Sequence, residues 1–203
     1  MPSANVDFYF DFRSPYAYFA ATRVRRRQFK PTGDVDWRWH PVSIDVLLNL
    51  QAGRAPWAAY VDPLSVPKRA HLIADVRRAA AYHDIPLRPP KPSRLNSIPA
   101  LCAAARLDVD DRGPFREAVF TALWQEQRDI GRPEILAQYF PRQSATAMLA
   151  YAFSPEARQA LAERTVQAYA RGVFGVPTFV WDGELFFGND RLEMLAWRLE
   201  AAQ

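Results

Sequence analysis

Val6, Phe8, Phe10 and Phe12 are apolar at every second position, with Asp7 and Asp11 among the residues between them. A period of two puts one side of an extended chain into a core, so residues 6–12 are predicted to be a strand. The run stops at Ser14-Pro15. Serine is a strong helix N-cap and proline suits the first helical position, where its missing N–H would have no partner, so Ser14 belongs where strand hands over to helix. Residues 15–29 follow with helical composition, closed by the turn residues Pro31, Gly33 and Asp34. Residues 35–42 alternate again, Val35, Trp37 and Trp39 against Asp36, Arg38 and His40, as a second strand. Strand, helix, strand is one βαβ unit, with a right-handed crossover and parallel strands.

From Ser43 the period becomes helical. Ser43 caps IDVLLNLQA with Gly53 beyond its end, and residues 67–83 carry Leu72, Ile73, Val76, Ala79 and Ala80 at helical spacing. A proline-rich connector, 85–92, follows; Ser97 then caps a short helix through Leu107. Phe115, Val119, Phe120, Leu123 and Trp124 form an apolar stripe after Pro114. Pro133 in PEILAQYF and Ser154-Pro155-Glu156 start two further helices, and Gly172 ends the last. The strand pattern returns in GVPTFVW and ELFFG, on either side of a hairpin turn at Asp182-Gly183. Asn189 then caps a final helix, 190–200, with Leu192, Leu195, Ala196 and Leu199 on one face. The order predicts an α/β fold in which a discontinuous domain, 1–42 with 173–203, holds an inserted all-helical domain, 43–172.

Composition narrows the class. The chain has 203 residues, 49% apolar and 13% aromatic, enough for a substantial core. Its first residues lack a basic segment followed by an apolar stretch, and no run approaches the roughly 18 apolar residues of a membrane span. A cytoplasmic protein without membrane contact is expected. The net charge is +4, and Arg23, Arg25, Arg26, Arg27 and Lys30 cluster. They lie at a helix end, where cations complement the dipole, and no nucleic-acid module accompanies them, so they read as a solvated helix end and nucleic acid is not expected as a partner. Cys102 is the single cysteine. No intrachain disulfide, CxxC redox pair or multi-thiolate metal site is therefore available, and among alanines it reads as a small buried residue. His40, His71 and His83 lack metal-ligand spacing, and Trp57, Trp124 and Trp181 read as core or pocket wall.

The segments DFYFDFRSPYAYFA and GVFGVPTFVWDGELFFGNDRLEML resemble thioredoxin-like proteins with an inserted helical domain, the group of periplasmic disulfide oxidoreductases and kappa-class glutathione transferases. Within it they are similar to the 2-hydroxychromene-2-carboxylate isomerases, which use glutathione. The resemblance spans essentially the whole chain. It implies a thioredoxin-like fold and a homodimer, with Ser14 contacting the glutathione sulfur. It makes Pro177 a cis-proline facing the site and gives Val176 backbone pairing with the cysteinyl part of glutathione, like an added strand. Phe187, Gly188, Asn189 and Asp190 would hold the γ-glutamyl end, Asp190 meeting the ammonium and helix N–H groups the carboxylate. On local pattern alone Ser14 is an N-cap, and Asn189 and Asp190 are a cap and a first-turn carboxylate.

The two roles of Ser14 are compatible, because a hydroxyl donates one proton and accepts through two lone pairs. A thiol with a pKa of about 8.5 is only a few per cent ionised at neutral pH. A charge-assisted hydrogen bond worth roughly 1.5–3 kcal/mol, with ~0.3–1 from a helix N-terminus, would lower that pKa by about one to two units or more. The substrate side falls to the helical block. The resemblance leads to a lysine early in it, but residues 43–53 contain none. Arg54 or Lys68 is the candidate cation for a substrate carboxylate, with Asn49 and Asn96 as polar lining. Arg13, where the resemblance leads to an apolar residue, has no assigned purpose. The expected activity is a glutathione-dependent isomerisation of a small unsaturated aromatic oxo or hydroxy acid. The alternatives are glutathione transfer of the kappa type and a non-redox thiol- or peptide-binding protein.

Overall fold

The computed structural model describes residues 4–29, 34–59, 61, 64–91 and 96–202. Lys30, Pro31, Gly33 and Pro92 lie outside them. Four strands, β1 (Ala4–Phe10), β2 (Val35–Pro41), β3 (Thr178–Trp181) and β4 (Glu184–Phe187), form a sheet of order β2-β1-β3-β4. β1 and β2 are parallel, as a βαβ unit requires, whereas β3 runs antiparallel to both β1 and β4. The β3–β4 turn has Asp182 and Gly183 both at positive φ, 49° and 79°. That is the type I′ geometry that suits strand twist, which the Asp-Gly pair signals.

Strand alternation divides the core. Phe8 and Phe10 face one way, joining Phe12 and Phe179 with Phe115, Phe120 and Leu123. Tyr9 faces the other, with Val42, Leu47, Ala168, Val173 and Val176. Complete burial of each such side chain is worth about 1.5–3 kcal/mol, so these clusters fix the sheet between its helices.

Nine α-helices are described: α1 (Pro15–Arg25), α2 (Ile44–Gln51), α3 (Val66–Tyr82), α4 (Ile98–Arg106), α5 (Val109–Trp124), α6 (Pro133–Leu136), α7 (Ala145–Ala152), α8 (Pro155–Ala170) and α9 (Leu192–Glu200). Ser14, Ser43 and Ser154 cap α1, α2 and α8 with side-chain hydrogen bonds from Ala17, Val46 and Ala157 N–H groups. Gly53 and Gly172 adopt the positive φ expected beyond a helix end.

Several elements differ from the sequence expectation. β1 ends at Phe10 rather than Phe12, since the chain turns at Asp11 while Phe12 stays buried by rotating into the core. α5 begins five residues before Pro114, which sits inside it, and α7 has no cap-plus-proline signal to announce it. Ser97 and Asn189 do not cap by side chain: Ser97 donates to Asp11, and Asn189 opens a short 3₁₀ turn, Asn189–Arg191, before α9. Arg23 is not on a solvated helix end. It is 3% exposed and donates to the Asn189 backbone oxygen at 2.8 Å and to Asn189 Oδ1 at 3.2 Å, with Glu193 as its ion-pair partner.

Candidate active site

Register brings the two ends of the chain together. β1 pairs with β3 through Tyr9 opposite Thr178, so residues 176 and 177 lie alongside the end of β1, where the chain turns into α1. The Val176-Pro177 peptide bond is cis. Ser14 is 5% exposed; its Oγ accepts from Ala17 N–H at 3.1 Å and donates to the Val176 carbonyl at 3.3 Å. Val176 N–H has no hydrogen-bond partner among the described residues.

The turn before Ser14 is held by a carboxylate that strand alternation does not single out. Asp11, fully buried, accepts from Arg13 N–H at 2.9 Å, from Ile44 N–H at 3.0 Å and from the Ser97 hydroxyl at 2.7 Å. One side chain thus joins the start of α1 to the starts of α2 and α4. The available sequence signal is an acid three residues before a Ser-Pro cap, at the end of a strand. Arg13 also acquires a purpose: its guanidinium pairs with Asp45 in the first turn of α2 at 2.8 Å.

Tyr16, two residues beyond Ser14, donates to Asp75 of α3 at 2.6 Å. Burial, then that hydrogen bond, raises its phenol pKa, while the same bond lowers that of Asp75. Asp190 adds to the negative field on Tyr16, and its carboxylate lies 3.4 Å from Arg191.

Just beyond β4, Gly188 N–H donates to the Pro177 carbonyl at 2.9 Å. Gly188 has φ 117°, a backbone conformation that side-chain-bearing residues rarely adopt, so the position calls for glycine. A Cβ on Gly175 would lie 2.6 Å from the Phe187 ring edge, so the exposed Phe187 ring packs directly over the Gly175 backbone. Phe187 also meets Phe174 at 4.6 Å between centroids, and both are partly exposed. Asn189 is buried, bonded by Arg23 and 3.3 Å from His83 Nε2, which makes it a fixed post beneath Gly188 and Asp190.

The substrate-side candidates are less tightly joined to Ser14. Asn96 lies next to Ser97 and is therefore close to the Asp11 network; its Oδ1 accepts from Ile98 N–H. Asn49 is 2% exposed and donates to the Pro56 and Ala58 carbonyls, so it shapes the loop after α2 rather than lining a cleft. Arg54 lies on that loop with its Nε buried and without a hydrogen-bond partner among the described residues. Lys68 is exposed on α3. None of Asn49, Arg54 and Lys68 has a described contact with Ser14. Cys102 is buried on α4 and burial pushes its thiol up to about 11. Among the described residues no group of three His, Cys, Asp or Glu is placed to hold a metal, and no helix is long and apolar enough to cross a membrane.

Residues 5–200 match the DSBA-like thioredoxin domain. A 2-hydroxychromene-2-carboxylate isomerase of Sphingobium xenophagum is 29% identical over 193 residues, 94% of this chain and 95% of that protein. One from Pseudomonas putida is 31% identical over 194 residues, covering 94% and 91%. A solved structure of a 2-hydroxychromene-2-carboxylate isomerase superposes with a TM-score of 0.77 at 26% identity, over 98% of this chain and 95% of that one.

Proposed function

The chain belongs to the DSBA-like thioredoxin family and, within it, to the 2-hydroxychromene-2-carboxylate isomerases, and from that membership we propose that it is a glutathione-dependent isomerase of a small unsaturated aromatic oxo or hydroxy acid such as 2-hydroxychromene-2-carboxylate. The observation that carries the reading is the hydroxyl of Ser14. Its acceptor side is engaged by Ala17 N–H, while its proton rests on the Val176 carbonyl at 3.3 Å. That separation exceeds the usual O–H···O distance of about 2.7–2.8 Å, so the bond is weak and the proton is available to a stronger acceptor. A sulfur anion beside Val176 is such an acceptor.

The backbone of Val176 fits the peptide part of glutathione. Among the described residues its N–H has no partner and its carbonyl is weakly engaged, the donor and acceptor that an added strand uses. Asp190 offers its carboxylate to an ammonium, with Gly188 and Phe187 framing that end. Glutathione, when bound, supplies a sulfur nucleophile that adds reversibly to a conjugated carbon, which lets the former double bond rotate before the sulfur leaves. Ser14 stabilises the anionic sulfur by donating its proton and holds it at the N-terminus of α1. Arg54, which donates to the Ala59 carbonyl at 3.3 Å and whose buried Nε has no acceptor among the described residues, is the candidate for the substrate carboxylate, with Lys68 as a second cation and Asn96 as polar lining. Asn49 contributes by fixing the loop that carries Arg54. Cytoplasmic location and a homodimer belong to the same proposal.

Turnover of 2-hydroxychromene-2-carboxylate is expected to vanish when glutathione is removed and return when it is restored. Turnover without glutathione would overturn the reading, and sulfur retained in the product would make the protein a transferase instead.

A further inference from the structure

Beyond the first turn of α1, away from Ser14, a cavity of ≈ 190 Å³ opens between α1, β2 and α5. None of the residues of the proposed glutathione site lines it. Its apolar walls are Trp37, Trp39 and Phe120, and its polar groups include Thr22, Thr121 and Arg116. The Arg116 guanidinium carbon sits 3.6 Å from the centre of the Trp39 ring. Trp39 also stacks on Phe8, with centroids 4.2 Å apart, which anchors that wall to the core. Among the described residues no carboxylate pairs with Arg116 and no acceptor takes its protons. Burial pulls its pKa down to about 10, with Glu117 the one opposing charge. Arg25 also lines the cavity, a second cation facing the one carboxylate, Glu117, in its lining. Arg116 has lost part of its water without gaining an anion.

We propose that this cavity is a second binding site, for a small planar aromatic carboxylate whose ring lies against Trp37 and Phe120 and whose carboxylate meets Arg116. Arginine suits a carboxylate because its planar fork donates two parallel hydrogen bonds. Thr121 supplies a hydroxyl beside it. A cavity of about 150 Å³ accepts a benzene ring, so the space is adequate. The site is independent of the glutathione reading, since neither Ser14 nor Val176 takes part.

The test is calorimetric titration with benzoate, followed in parallel by tryptophan fluorescence, with uncharged benzamide as control. Saturable benzoate binding is expected, at least about tenfold weaker for benzamide and for Arg116→Gln. Thr121→Asp, which offers Arg116 an internal carboxylate, is expected to block benzoate and decides the matter if Arg116→Gln fails to fold. Ser14→Asp is expected to leave benzoate affinity unchanged. No saturable binding up to about 10 mM benzoate, or equal affinity in Arg116→Gln or in Thr121→Asp, would overturn the site. Loss of binding in Ser14→Asp would also overturn it, by assigning benzoate to the Ser14 cleft. Failure of the glutathione reading would appear instead as glutathione-independent turnover, with benzoate binding intact.

Discussion

The Ser14 hydroxyl and the Val176 carbonyl meet at 3.3 Å although 162 positions separate them in the chain. The contact joins the start of the first helix to the residue before the cis-proline, so the two most distinctive sequence segments meet. It also sets the first prediction. Ser14→Ala is expected to lose the cap, at about 0.5–2 kcal/mol, and to lower glutathione-dependent turnover by roughly 10²–10³. Ser14→Asp keeps an acceptor for Ala17 N–H while repelling an anionic sulfur, at some cost in stability because the carboxylate faces the Val176 carbonyl, and turnover falls at least as far. Full turnover in Ser14→Asp, measured beside a thermal melt, removes Ser14 from the mechanism.

Asp11 is expected to be one of the most sensitive positions in the fold. Asp11→Ala leaves the Ser97 hydroxyl and the Arg13 and Ile44 N–H groups without an acceptor in a site closed to water. The expected cost is about 3–5 kcal/mol in urea unfolding, with a smaller loss for Asp11→Asn, which keeps one acceptor oxygen. A loss below about 0.5 kcal/mol for the alanine variant would contradict the network.

His83 supplies a pH dependence. Burial, then the nearby Arg23 charge, lowers its pKa below the usual histidine value, while its Nε2 faces the Asn189 amide. In the window below about 6.5 the unfolded chain binds a proton that the native state resists, so stability contributed at neutral pH is lost as pH falls. His83→Gln is expected to flatten that slope between about pH 6.5 and 5, read from urea unfolding at each pH. An unchanged slope would show that His83 carries none of it.

Cys102 is expected to be inert in the native protein. With its thiol pushed up to about 11 and its side chain 1% exposed, a disulfide labelling reagent near pH 8 should react only after unfolding. Cys102→Ala should leave turnover unchanged. Rapid labelling of the native protein would refute this placement.

The amino-acid sequence by itself determined the features whose partners lie within a few residues. Strand alternation located β1 and β2, the Asp-Gly pair located the β3–β4 turn, and Ser-Pro pairs located the starts of α1 and α8, because each closes its own hydrogen bonds locally. Ser14, Val176 and Pro177 stood out as motifs, and they meet where register brings β3 beside β1. Tertiary structure decided the rest. The partners of Asp11 lie as far as 86 positions away, so no local pattern distinguishes it from a solvated strand residue. Ser97 and Asn189 carry the chemistry of caps, yet neither caps by side chain: Ser97 donates to Asp11, and Asn189 is bonded by Arg23. Arg23 likewise leaves a basic cluster for a buried pocket, since a charge can be buried only where distant groups assemble to receive its protons.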